Sequence, residues 1–159
     1  MKTAAQWLSE YGESHQDKFN KIVHYICVPS IFFSLVGLVA SIPLGGLPAM
    51  LPAVLAPYAH LGTALIIFGL VFYLRISFPL FVGMLLMSVL VLWGVNRLAT
   101  IGIPLWASSL IIFVIAWIFQ FIGHKHEGKK PSFFKDLQFL MIGPGWTLSH
   151  FYDMLGIKY

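Results

Sequence analysis

Imidazole is the commonest side-chain ligand for transition metals. Six histidines, His15, His24, His60, His124, His126 and His150, are therefore the residues of this chain with the most chemistry to offer. Their spacing alone does not make a metal site. None of the local pairs has the i, i+4 separation that sets two imidazoles on one helical face. His15 and His24 are nine residues apart, which in an unbroken helix means opposite faces and roughly 13 Å along the axis. They can share an ion only if the helix begins after His15, with Asp17 as its N-cap. His124 and His126 can meet one ion only in an extended turn, which Gly123 permits. Polar partners accompany them. Asn20 lies four before His24 on its face, where it can hold the imidazole or bind substrate. Gln120 lies four before His124 in an apolar run, and an amide there is unfavourable unless hydrogen-bonded, so it serves either the site or a polar contact between helices. Glu127 reads as a ligand, a supporting carboxylate, or a partner for Lys129 and Lys130.

Positioning these groups falls to elements that the charge pattern defines. Of the 159 residues 58% are hydrophobic and only 10% charged, which excludes an ordinary water-soluble domain. Between Lys21 and Lys125 the chain carries two charges, Arg75 and Arg97. A helix needs about 20 apolar residues to cross the hydrocarbon core, and four stretches qualify: 22–42, 58–75, 78–96 and 104–123. No alternation of period two suggests barrel strands. The expected fold is an all-α integral membrane four-helix bundle, a single membrane domain over residues 1–159. Its C-terminal segment 124–159 should form short interfacial or re-entrant helices, one from Ser132 to about Met141, stopped by Gly143-Pro144-Gly145, and one from about Trp146 to Leu155.

An even number of spans returns both ends to one side. Nine of the ten basic residues then fall on that side and Arg97 alone opposite, so the positive-inside rule puts both termini in the cytoplasm. His15, His24, His124, His126 and His150 gather there, and His60 is left at the far end as a structural residue. The polar N-terminus reads as lacking a cleavable signal, so the first span acts as its own insertion signal; short loops and missing sorting signals favour a bacterial inner membrane. The net charge of +4 faces lipid headgroups, with no basic aromatic surface for a nucleic acid. Cys27 reads as a buried hydrophobe, and Trp7, Tyr11 and Trp146 as interfacial aromatics.

Two motifs carry a family resemblance. Tyr11-x-x-x-His15-x-x-x-x-Asn20-Lys21-x-x-His24-x-x-x-Val28-Pro29 precedes an apolar helix, and Trp117-x-x-Gln120-Phe121-x-Gly123-His124-x-x-Glu127-Gly128-Lys129-Lys130-Pro131-Ser132 closes the last span. Together they resemble the 2-hydroxy fatty acid dioxygenases first known from the fungal route from phytosphingosine to odd-chain fatty acids. The resemblance covers nearly the whole chain. It implies a membrane Fe(II) enzyme that removes one carbon from a 2-hydroxy fatty acid with O2, with His15, His24 and His124 as ligands and Asn20, Gln120 and Glu127 in support. His126 and His150 fall outside the matched motifs, His150 being a candidate fourth ligand. Zinc or nickel can replace iron at such a site. Two other classes compete: a haem-binding electron-transfer protein, since histidines near bundle ends can be axial ligands, and a non-enzymatic transporter or scaffold.

Overall fold

The computed structural model describes residues 3–128 and 139–159. Among them every regular element is helical. The chain opens with α1, Ala4–Gly12, which hydropathy does not reveal. A capping box starts it: the Gln6 amide N–H donates to Thr3 Oγ1, and the Thr3 N–H donates to Gln6 Oε1 at 2.9 Å. A short break follows before α2, Lys18–Ala40. Asp17 is its N-cap, accepting from the Asn20 N–H at 2.9 Å. That bond, with His126 nearby, holds the Asp17 carboxyl below the ordinary carboxylate range. The helix thus begins a turn before the apolar stretch, because a cap and not hydropathy sets its start.

After α2 the uncharged segment 41–60 makes two short 3-10 turns, Leu47–Met50 and Ala56–Tyr58. His60 then caps α3, Leu61–Ile76, with Nδ1 accepting from the Thr63 N–H at 3.1 Å. Its role is structural, as the sequence suggested. Ser77 ends α3 and caps α4, Phe78–Leu98. Helix α5, Leu105–His126, follows Pro104. Among the described residues three helices, α2, α4 and α5, are long and apolar enough to cross a membrane. At 16 residues, α3 is roughly 24 Å long.

The last helix, α6, spans Gly143–Leu155 and departs from expectation. Gly143-Pro144-Gly145 opens this helix instead of stopping a preceding one. Proline suits a first turn because its missing N–H would have had no partner there. Of the helix expected over 132–141, residues 132–138 lie outside the described residues, and Phe139–Met141 form a 3-10 turn. As expected of a helix too short to span, α6 packs against the bundle. Gly143, Pro144, Gly145, Trp146, Ser149 and Tyr152 are buried where it packs on α1, α2 and α4. Tyr73 Oη donates to the Met141 carbonyl and accepts from the Gly145 N–H at 2.9 Å; Tyr152 Oη donates to the Pro79 carbonyl at 2.8 Å. These bonds fasten the C-terminal segment to α3 and α4.

Helix α2 is the hub, in contact with α3, α4, α5 and α6. One core cluster, including Phe32, Val36, Ile66, Tyr73, Leu80 and Met84, joins α2, α3 and α4. A second, of Val23, Cys27, Ile31, Ala116 and Trp117, fills the seam between α2 and α5, so Cys27 is the buried hydrophobe expected. The outer surface stays apolar: Ile26, Phe68, Leu86, Leu90, Ile111 and Ile118 are exposed. In water such a face would drive aggregation, whereas against hydrocarbon it is at no disadvantage.

Candidate metal centre

The break between α1 and α2 makes the centre possible. With the helix starting at Asp17, His15 sits on an irregular linker and turns back over the first turns of α2, where its ring lies 4.2 Å from that of His24. The ring of His124, near the end of α5, is 4.8 Å from His24 and 5.2 Å from His15. All three are buried, at 1–3% exposure. Each offers one ligand atom, and these atoms lie within 4.8 Å of one another.

Hydrogen bonds orient two of the rings. His15 Nδ1 lies 2.7 Å from the Tyr11 carbonyl oxygen, and His24 Nδ1 lies 2.9 Å from that of Asn20. A carbonyl oxygen only accepts, so Nδ1 carries the hydrogen in both and Nε2 keeps its lone pair for a metal. Backbone carbonyls commonly brace metal-bound imidazoles in this way. Aromatic rings supply the walls. Tyr11 stacks on His15 at 4.4 Å and 11°, and Trp146 approaches the same ring at 5.2 Å. Both are buried, at 6% and 2% exposure, which corrects their reading as interfacial aromatics. Only the spacing of Tyr11 from His15, one turn before it, hinted at this.

Asn20 is fully buried. Its Nδ2 donates to Glu127 Oε2 and, at 3.4 Å, to the Ser14 carbonyl, while Glu127 Oε1 accepts from the Gln16 N–H at 2.9 Å. Glu127 thereby ties the end of α5 to both the linker bearing His15 and the first turn of α2. Its carboxylate is outside the group of three histidines. Gly123 has a different part from the one expected. It lies inside α5, and a Cβ there would collide with Asn20 Oδ1, so glycine allows the two ligand-bearing helices their close approach.

Two histidines stay outside. Helix α5 continues through His126, placing it about 200° around the axis from His124, where its Nδ1 faces Asp17 Oδ1 at 3.1 Å. The extended turn that would let the pair share an ion does not form. His150 lies on α6; its Nδ1 donates to the Trp146 carbonyl at 2.9 Å, and its ring packs 4.3 Å from Trp146 and 5.5 Å from Tyr25. It does not join the group of three. Gln120 is buried and lines a cavity with Tyr11, Val28, Ile31, Trp117, Phe139 and Gly143.

The donor set fits one transition-metal ion. Three imidazoles from separate segments, two with their lone pairs directed by backbone carbonyls, sit close enough for small side-chain rotations to bring them onto a common ion. Imidazole donors serve zinc, copper, iron and nickel. Ring centroids 4.2–5.2 Å apart leave no gap for a porphyrin plane between any two of these rings, which counts against the haem alternative.

Among known protein families, the one described as 2-hydroxy-palmitic acid dioxygenase Mpo1-like has a model that matches residues 1–155. No curated protein and no solved structure matches the chain.

Proposed function

The chain belongs to the 2-hydroxy-palmitic acid dioxygenase Mpo1-like family, and from that premise we propose that it is an iron-dependent dioxygenase of 2-hydroxy fatty acids. It converts R–CH(OH)–COOH and O2 into R–COOH, CO2 and water. Atoms and electrons balance without an external reductant, so no nicotinamide or flavin partner is needed.

The observation that carries this reading is the convergence of His15, His24 and His124 in a buried pocket. Removing three imidazoles from water is unfavourable without compensation, and a bound ion supplies it. Iron, when bound, provides the redox chemistry that activates O2. The chain's own residues do the rest. His15, His24 and His124 hold the ion, and the carbonyls of Tyr11 and Asn20 keep two of those rings in the ligating tautomer. Asn20 and Glu127 hold the linker and α5 in register. Tyr11 and Trp146 shield the imidazoles from water. Three neutral ligands leave the ion's charge uncompensated, which suits an anionic substrate such as a carboxylate.

In this reading α3 joins α2, α4 and α5 in crossing the bilayer, with both termini cytoplasmic in a bacterial inner membrane. The shorter α3 is accommodated by polar residues at its ends, His60 and Arg75, that reach the interface. The substrate's tail then remains in lipid while its polar end meets the histidines at the boundary.

Anaerobic purification in detergent, metal analysis and Fe(II)-dependent O2 uptake with a long-chain 2-hydroxy acid test the proposal. His24→Ala and His124→Ala should each lose bound iron and at least about a hundredfold in turnover. Iron content and turnover that survive both substitutions end this assignment of the site.

A further inference from the structure

The cavity lined by Gln120 has a position dictated by helical register. Val28 and Ile31 come four and seven residues after His24; Gln120 and Trp117 come four and seven before His124. All four therefore continue the ligand-bearing faces of α2 and α5, one and two turns deeper along the seam. Tyr11, stacked on His15, forms the wall nearest the histidines. Gln120 is 4% exposed, and its side-chain amide makes no hydrogen bond to another described residue. Its amide instead faces the space of the cavity it lines, where a polar group entering the cavity can complete its hydrogen bonds.

The cavity is also small, about 20 Å3. A water molecule needs about 10–15 Å3 of such space, so the cavity has room for the small head of a substrate and not for a long acyl chain. The tail must lie elsewhere. On α5, Leu110, Val114 and Phe121 flank Trp117 at helical spacing and are 43%, 47% and 40% exposed, an apolar stripe of the kind the bilayer covers.

We propose that this cavity is a head-end slot that reads the C2–C3 region of the substrate: Gln120 hydrogen-bonds the hydroxyl-bearing head, and Ile31 and Trp117 exclude branches beside it. The rest of the acyl chain stays in lipid and adds membrane partitioning without recognition. This rests on the 2-hydroxy acid reading given above. The enzyme should therefore discriminate sharply at the head and poorly along the tail.

The test uses the full chain loaded with iron in phosphatidylcholine vesicles. O2 uptake is compared for medium-chain, long-chain and 3-methyl-branched 2-hydroxy acids at equal membrane concentration. Medium and long straight chains should agree within about threefold, and the branched acid should be at least about tenfold slower, with Ile31→Ala recovering much of that loss. In a second arm, binding of a 2-hydroxy acid and its non-hydroxy counterpart is followed without O2 by tryptophan fluorescence. Gln120→Met, which keeps the volume, should weaken the hydroxy acid about tenfold and leave the other unchanged; its iron content reports whether the centre is intact. A branched acid that matches the straight ones in the wild type overturns the slot. Equal effects of Gln120→Met on both acids, or none on either, overturn the role of Gln120. A wild type that turns over no 2-hydroxy acid removes the reading of the histidine centre and this inference with it, whereas normal turnover with either of the preceding results removes the inference alone.

Discussion

His15, which has no regular helix of its own, is held by two hydrogen bonds and two aromatic rings. Its backbone N–H donates to the Gly12 carbonyl at 2.9 Å, its Nδ1 donates to the Tyr11 carbonyl, and its faces meet Tyr11 and Trp146. Tyr11→Ala removes one of those faces and should weaken metal binding about tenfold, whereas Tyr11→Phe keeps the ring and should bind nearly as well as the wild type. Competition with a chelator measures both. Glu127 acts at greater distance. Glu127→Ala removes the acceptor of both the Gln16 N–H and the Asn20 Nδ2 bond across to α5, so it should also lower metal affinity, by about tenfold to a hundredfold, while leaving the three imidazoles in place. Unchanged affinity in Glu127→Ala would mean that α5 and the linker hold their register without it.

Among the elements, the meeting of α2 with α5 decides whether His24 and His124 face each other. Gly123→Ala forces a methyl group against Asn20 Oδ1. Overpacking of this kind destabilises by about 1–3 kcal/mol, and here it also spreads the ligand-bearing helices, so thermal stability in detergent and iron content should fall together. The same substitution at Gly69, where the nearest atom is the flexible end of Met141 at 3.2 Å, should leave iron content unchanged and serves as a control. At the other end of the linker, Asp17→Asn preserves the cap of α2 while Asp17→Ala removes it. Hydrogen exchange across the first turn of α2 should therefore rise in the alanine variant and hardly change in the asparagine one. Protection that is equal in both would show that tertiary packing, and not the cap, starts this helix.

At the scale of the whole molecule the prediction concerns sidedness. Cys27 is buried and should be inert, so single cysteines placed elsewhere report alone. If both termini are cytoplasmic, as proposed, a membrane-impermeant maleimide added to intact cells should label Thr100→Cys, in the turn between α4 and α5, and should miss Glu13→Cys until the cells are opened. The reverse pattern inverts the topology; labelling of both from outside excludes an even number of crossings.

The linear sequence was enough to establish the all-helical, membrane-suited character of the chain, the family, and the candidacy of His15, His24 and His124. Hydropathy, charge distribution and two motifs are local properties, and each is read without knowing what packs against what. Helix ends were less legible, since caps such as Thr3 and Asp17 act through single hydrogen bonds that a hydropathy window averages away. The resemblance had already set His15, His24 and His124 apart; only the tertiary structure brought those three together and gave His126 its place beside Asp17 and His150 its place on Trp146. It likewise drew Tyr11 and Trp146 inward, made Gly143-Pro144-Gly145 a beginning instead of an end, and gave Gly123 its use as a point of contact. The physical reason is common to all of these: each depends on distances between segments far apart in the chain, such as His15 and His124, more than a hundred residues apart, and those distances exist only once the helices have packed.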